Sequence, residues 1–354
     1  MSDLKTTIGF STARVARMMM AAAAVLAFAA PGIAQDTPLI SGGVAFLTST
    51  RGGQTTYMPI IEPLLAAPIG SQLLIESQAV LLETISPAGN GRTGYNHAHF
   101  ANLSYLHGNF LLSPHVNVVA GSFLLPFNTY NERLSPVWIS NFQDGPTIAS
   151  LGLISTGIGV GGELRGSAVS RKNFSLDYTT WFSARSGNEN FNSQRSSGGR
   201  VSVYLPESRV EVGFSYDRKL QATRENFYGM HLWWEPKDTA LRLRSEYASG
   251  KHAQGYWVEA DYRTLRFGGA DSWRGRFEPL FRMQQTFRRD TLASDSVPLV
   301  NTQQADFGID YNLPHNARIL TSYSRQFAST GNQNIWETGI VYHFFFPAWK
   351  GKMQ

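Results

Sequence analysis

Leu241-Arg242-Leu243-Arg244-Ser245-Glu246-Tyr247 sets Leu241, Leu243 and Tyr247 on one face of an extended chain and Arg242, Arg244 and Glu246 on the other. The same alternation recurs. Tyr256, Val258, Ala260 and Tyr262 stand opposite Trp257, Glu259, Asp261 and Arg263. Phe307, Ile309, Tyr311 and Leu313 stand opposite Asp306, Gly308, Asp310 and Asn312, and Trp336, Ile340, Tyr342, Phe344 and Phe346 share a face near the end of the chain. A charge at every second position cannot face a dry core unpaired, because burying it alone is very costly. It can face water.

Alternation alone also fits a soluble antiparallel sheet with one wet face. The length of the runs separates the two, since about 10–16 residues exceeds the usual ~5–6 and suits a tilted crossing of a bilayer. Phe227, Tyr228, Trp233, Trp234, Tyr256 and Trp257 gather at run ends, where an interfacial aromatic girdle is expected. Connections alternate short and long: short at Ala67–Ser71, Ser113–Asn117, Ser170–Asn173, Pro206–Arg209, Glu235–Thr239 and Pro314–Ala317, with a longer one at Gly268–Gly275. The long ones fall at Ser86–Gly94, Asn128–Thr156, Ser186–Ser197, Lys219–Glu225, Gly250–Gln254, Arg288–Asn301 and Ser329–Asn334. The expectation is an all-β fold, a transmembrane antiparallel barrel of about 16 strands whose first is Ile40–Ser49, with 14 or 18 also open.

The first 34 residues read as a cleaved secretory leader. Lys5, Arg14 and Arg17 precede the apolar run Met18–Ala30, and Pro31-Gly32-Ile33-Ala34 supplies a turn and small residues for cleavage after Ala34. The barrel is then residues 35–354, in the outer membrane of a Gram-negative bacterium. Zero cysteine excludes disulfides and thiolate metal sites. The basic residues are scattered, with no arm or helix face rich in them, so nucleic acid is not an expected partner despite the net charge of +5.

Asn128–Thr156 (NTYNERLSPVWISNFQDGPTIASLGLIST) departs from the alternation. A long loop without its own secondary-structure signal is usually functional or disordered. As the third outer loop it is expected to fold inward, with Glu132, Arg133 and Asp144 at a pore constriction. A loop packed on the barrel rim is the alternative.

In strand count, long third outer loop and aromatic last strand the chain resembles the bacterial outer-membrane porins. The run Gly121–Leu134 (GSFLLPFNTYNERL) is similar to phosphate-selective-type porins and their uncharacterised relatives. The likeness implies a water-filled channel for small hydrophilic solutes or ions. It also implies lipid and lipopolysaccharide around the barrel, barrel-assembly machinery that reads the last strand, and a homotrimer. The chain departs from the family in two ways: Pro347–Gln354 follows the aromatic strand that normally ends such chains, and the third loop lacks a run of lysines or arginines, which stands against phosphate selectivity.

If apolar residues face lipid, the lumen takes their neighbours. Pore-lining residues are then Arg165, Arg242, Arg244, Glu259, Asp261, Arg263, Arg282, Asp306 and Asp310, with Glu163, Asp177, Arg200, Glu211, Glu246 and Glu278 also on that face. No nucleophile-elbow spacing and no phosphate-cradling loop accompanies the histidines and serines, so neither an enzyme nor a cofactor is expected. His97 and His99 share a strand face as a metal pair would, yet lack a third ligand nearby in sequence and read better as polar residues of an outer loop. A narrow or closed barrel with an adhesive, structural or enzymatic role is the competing reading.

Overall fold

The computed structural model describes residues 37–89, 93–151, 157–185, 193–221, 224–264, 272–290 and 297–347. The proposed leader, the end of the third loop at 152–156, and residues 348–354 lie outside the described residues. The strands are β1 (Leu39–Arg51), β2 (Gln54–Ile69), β3 (Leu73–Pro87), β4 (Tyr95–Ser113) and β5 (Val116–Leu124). They continue as β6 (Ile158–Ser170), β7 (Ser175–Ser183), β8 (Ser196–Leu205), β9 (Val210–Lys219), β10 (Glu225–Trp234) and β11 (Leu241–Ser249). The last five are β12 (Ala253–Tyr262), β13 (Phe277–Arg288), β14 (Thr302–Asn312), β15 (Ala317–Ala328) and β16 (Gln333–Pro347). Each pairs antiparallel with its chain neighbours, and β1 closes on β16, giving a closed barrel of sixteen strands. Closure removes every sheet edge that would otherwise leave backbone groups unpaired in lipid.

The period-2 pattern decides the two faces. Val212, Phe214, Met230, Phe281, Phe307, Ile309 and Tyr342 are exposed outward, while Asp306, Asp310, Asp261, Arg282 and Glu246 on the opposite face are 0–3% exposed. At the outer ends of the strands the outward tyrosines bond amides: Tyr216 Oη to Asn226 (3.0 Å), Tyr247 to Gln254 (3.2 Å), Tyr256 to Gln285 (3.3 Å) and Tyr323 to Asn334 (3.0 Å). An aromatic ring with a polar tip suits the headgroup level of a bilayer.

The girdle expected from sequence needs correction. Phe227, Trp233 and Trp257 point inward, Phe227 and Trp257 being fully buried and Trp233 packed against the same internal apolar cluster. Adjacent residues on a strand alternate faces, so an aromatic pair such as Trp233-Trp234 contributes one ring to each side.

Candidate functional site

After Leu124 the chain leaves the wall, and the third loop runs through the lumen. Its two ends are tied together: Leu125 N–H donates to Gly157 O (3.0 Å), and Asn131 Nδ2 donates to Leu125 O (3.2 Å) and Gly157 O (3.0 Å). The loop is not wholly irregular as expected, because Tyr130–Arg133 form a short helix, α1. The N–H groups at a helix start need acceptors, and none comes from a side-chain cap within the loop. Glu246 of β11 supplies one: its Oε1 accepts from Thr129 N (2.7 Å), Thr129 Oγ1 (2.7 Å) and Tyr130 N (2.8 Å). Tyr130 is partly buried, packed edge-to-face with Trp257, and desolvation pushes the phenol's pKa up, so it stays neutral.

From there the loop is pinned around the wall. Arg133 forks onto Glu211 of β9 (2.8 and 3.0 Å), with its guanidinium 5.2 Å over the Trp233 ring. Glu132 receives Arg200 of β8 at 2.7 Å and has Arg165 of β6 at 3.8 Å. Val137 N–H donates to Glu62 of β2 (2.8 Å), and Asn141 Nδ2 reaches Glu259 (3.0 Å) and Asp261 (3.3 Å) of β12. Arg318 of β15 donates to Ser140 O. Asp144 pairs with Arg51 of β1, while its carbonyl accepts from Arg282 of β13 (2.9 Å). Thr147 N–H donates to Gln284 of the same strand (2.7 Å).

Wall glycines make room for loop side chains. A Cβ on Gly43 would stand 2.7 Å from the Trp138 ring, one on Gly229 would stand 2.8 Å from Phe127, and one on Gly308 would stand 3.2 Å from Phe142. Trp138 also stacks on His343 of β16 (5.8 Å, 2° between planes). Gly159 holds its space for the Phe123 ring and the Leu125 side chain at the loop root.

The wall under the loop is an ion-pair lattice. Arg242 bonds Asp261 and Glu278 at 2.6 Å each, Arg244 bonds Asp261 at 2.7 Å, and Arg263 reaches Glu278 at 3.4 Å. Arg282 bonds Asp306 (2.8 Å) and lies 3.9 Å from Glu259, and Arg318 lies 3.3 Å from Asp310. This lattice sets five arginines against five carboxylates, while Glu246 on the same side is occupied by donors of the loop. By contrast, Leu74, Glu76, Leu82, Thr84 and Tyr105 on the inner faces of β3 and β4 stay half-buried.

The residues picked from sequence therefore fall into two groups. Glu132, Arg133 and Asp144 all sit on the loop and all pair with the wall. The wall residues all face the lumen, but Asp306 and Asp310 are fully buried rather than wetted. Sequence reading missed Glu62, Gln284, Arg318 and Arg51 as anchors of the loop. Glu62 carried a signal, the one charge in the apolar run Met58–Ala67. His97 and His99 lie on the outer face of β4 rather than in a loop, with their Nδ1 atoms 2.8 and 3.9 Å from Glu83 of β3. Among the described residues no group of three or more His, Asp or Glu side chains is disposed to hold a metal ion.

No protein-family model matches the chain, and no curated protein does. Solved structures do. OprB of Pseudomonas putida, in its high-pH structure, superposes with a TM-score of 0.59 at 10% identity, over 88% of this chain and 94% of that one. OmpF of Salmonella typhi, in complex with daunomycin, gives 0.57 at 14% identity over 87% and 97%. An anion-selective porin from Comamonas acidovorans gives 0.54 at 13% identity over 88% and 99%. The chain has the fold of the bacterial outer-membrane porins.

Proposed function

We propose that this chain, built on the porin barrel, is an outer-membrane diffusion channel for small hydrophilic solutes or ions and not an enzyme. The observation that carries the reading is the lopsided lumen: the loop is tied to β1, β2, β8, β9, β11–β13 and β15, whereas Leu74, Glu76, Leu82, Thr84 and Tyr105 on the inner faces of β3 and β4 remain half-exposed. Water fills the sector beside the loop, and Glu132, Arg133 and Asp144 narrow it. A carboxylate and a guanidinium held by the wall lose little on being aligned, and in a narrow low-dielectric passage their fields act strongly on a solute. The protein reaches this place after cleavage behind Ala34, is folded by barrel-assembly machinery, and sits in lipid and lipopolysaccharide as a homotrimer. N-terminal sequencing of the mature protein should begin at Gln35.

A second reading is a narrow barrel with a surface or enzymatic role. It draws on the complete burial of Asp306 and Asp310 under the loop. Swelling of liposomes carrying the folded protein separates the two. Diffusion predicts swelling whose rate falls with solute size, and no swelling in any small sugar or amino acid would overturn it.

A further inference from the structure

We infer that the passage prefers cations, and that ammonium- or guanidinium-bearing solutes are its favoured class. This rests on the diffusion reading above. The whole chain is basic, at +5, which on its own suggests the opposite. Charge is not spread evenly, however. The ion-pair lattice under the loop matches five arginines with five carboxylates, Glu246 of β11 is taken up by donors of the loop, and Arg133 is cancelled by Glu211 at 2.8 Å. The half-exposed part of the lumen is the sector from β3 to β8.

There Glu76, Asp177 and Glu132 face Arg165 and Arg200, three carboxylates against two guanidiniums, with Glu163 buried among them. His107 beside Glu76 (3.3 Å) adds charge only when protonated. The uncompensated charge lies beside water, since the Glu76 side chain is 26% exposed and Asp177 is half-buried.

A separate observation points the same way. Glu163 Oε2, on a side chain 2% exposed, has no hydrogen-bond donor among the described residues, and Arg165 stands off at 3.9 Å. Asn117 Oδ1, on the residue opposite Arg165 in the β5–β6 ladder, is likewise buried without a donor. Buried acceptors left unpaired are costly, and a solute bearing N–H⁺ groups supplies what they lack. Thus this wall attracts donors and positive charge, and the excess carboxylate in a narrow wet sector raises the local cation concentration.

The test is the reversal potential of single channels across a KCl gradient at pH 7.5. Wild type should reverse on the potassium side. Glu76→Gln with Asp177→Asn should lower the potassium-to-chloride permeability ratio by about twofold or more, and Arg165→Gln should raise it. Reversal on the chloride side, or a ratio unmoved by either variant in normally conducting channels, would overturn the inference while leaving the channel reading intact. Absence of any conductance would overturn both.

Discussion

Replacing Glu246 with alanine should unseat the third loop. One carboxylate oxygen accepts from two backbone N–H groups and a hydroxyl at 2.7–2.8 Å, all at the start of α1 in the barrel interior. Each donor stripped of its acceptor in a buried place costs about 1–3 kcal/mol. At the low end the three together cost about 3 kcal/mol, which shifts the ratio of seated to free loop by roughly 100-fold. Arg133 on Glu211 and Val137 on Glu62 still hold the middle of the loop, so the expected result is a loop that frays from its first turn without leaving the lumen. In planar bilayers this reads out as larger open-channel noise and frequent steps of higher conductance. Glu246→Gln keeps a carbonyl acceptor at the same place and should behave nearly as wild type. If Glu246→Ala folds into the barrel with quiet channels of unchanged conductance, the carboxylate does not hold the loop and the reasoning fails.

Other consequences follow from the same contacts. Phe307→Arg, at an outward position 55% exposed midway along β14, should destabilise the folded barrel by about 2–4 kcal/mol in lipid, read from urea unfolding in vesicles; an unchanged midpoint would contradict its lipid-facing place. Arg133→Glu sets two carboxylates against each other at Glu211 and should move ion preference toward cations; an unmoved reversal potential would remove Arg133 from the passage. Gly43→Val should push Trp138 off its seat at a cost of about 1–3 kcal/mol and change tryptophan fluorescence, whereas an unaltered spectrum would place Trp138 elsewhere.

The barrel was legible because a two-residue period is set by strand geometry alone. Leu241, Leu243 and Tyr247 against Arg242, Arg244 and Glu246 is a statement about faces that needs no tertiary contact. The strand order followed from turn lengths, and Ile40–Ser49 was found inside the longer β1, Leu39–Arg51, because an even count required it. The same period misled where aromatics sit in pairs, since Trp233 and Trp257 were assigned to a girdle by type rather than by parity. The loop's place in the sequence and its charged residues were readable, but its attachments were not. Glu62 and Val137 are 75 residues apart, and Glu246 and Thr129 are 117 apart; only the closed barrel brings them within hydrogen-bond reach. α1 escaped notice because four residues carry no helical period, and its acceptor comes from another strand.

The most direct test of the central claim pairs single-channel recordings of the folded wild type with those of a variant lacking Ser135–Pro146. A water-filled passage narrowed by an inward loop predicts discrete steps in both, with larger steps after the deletion. Equal steps would put the loop outside the conducting path, and silent bilayers from both folded proteins would contradict a channel altogether.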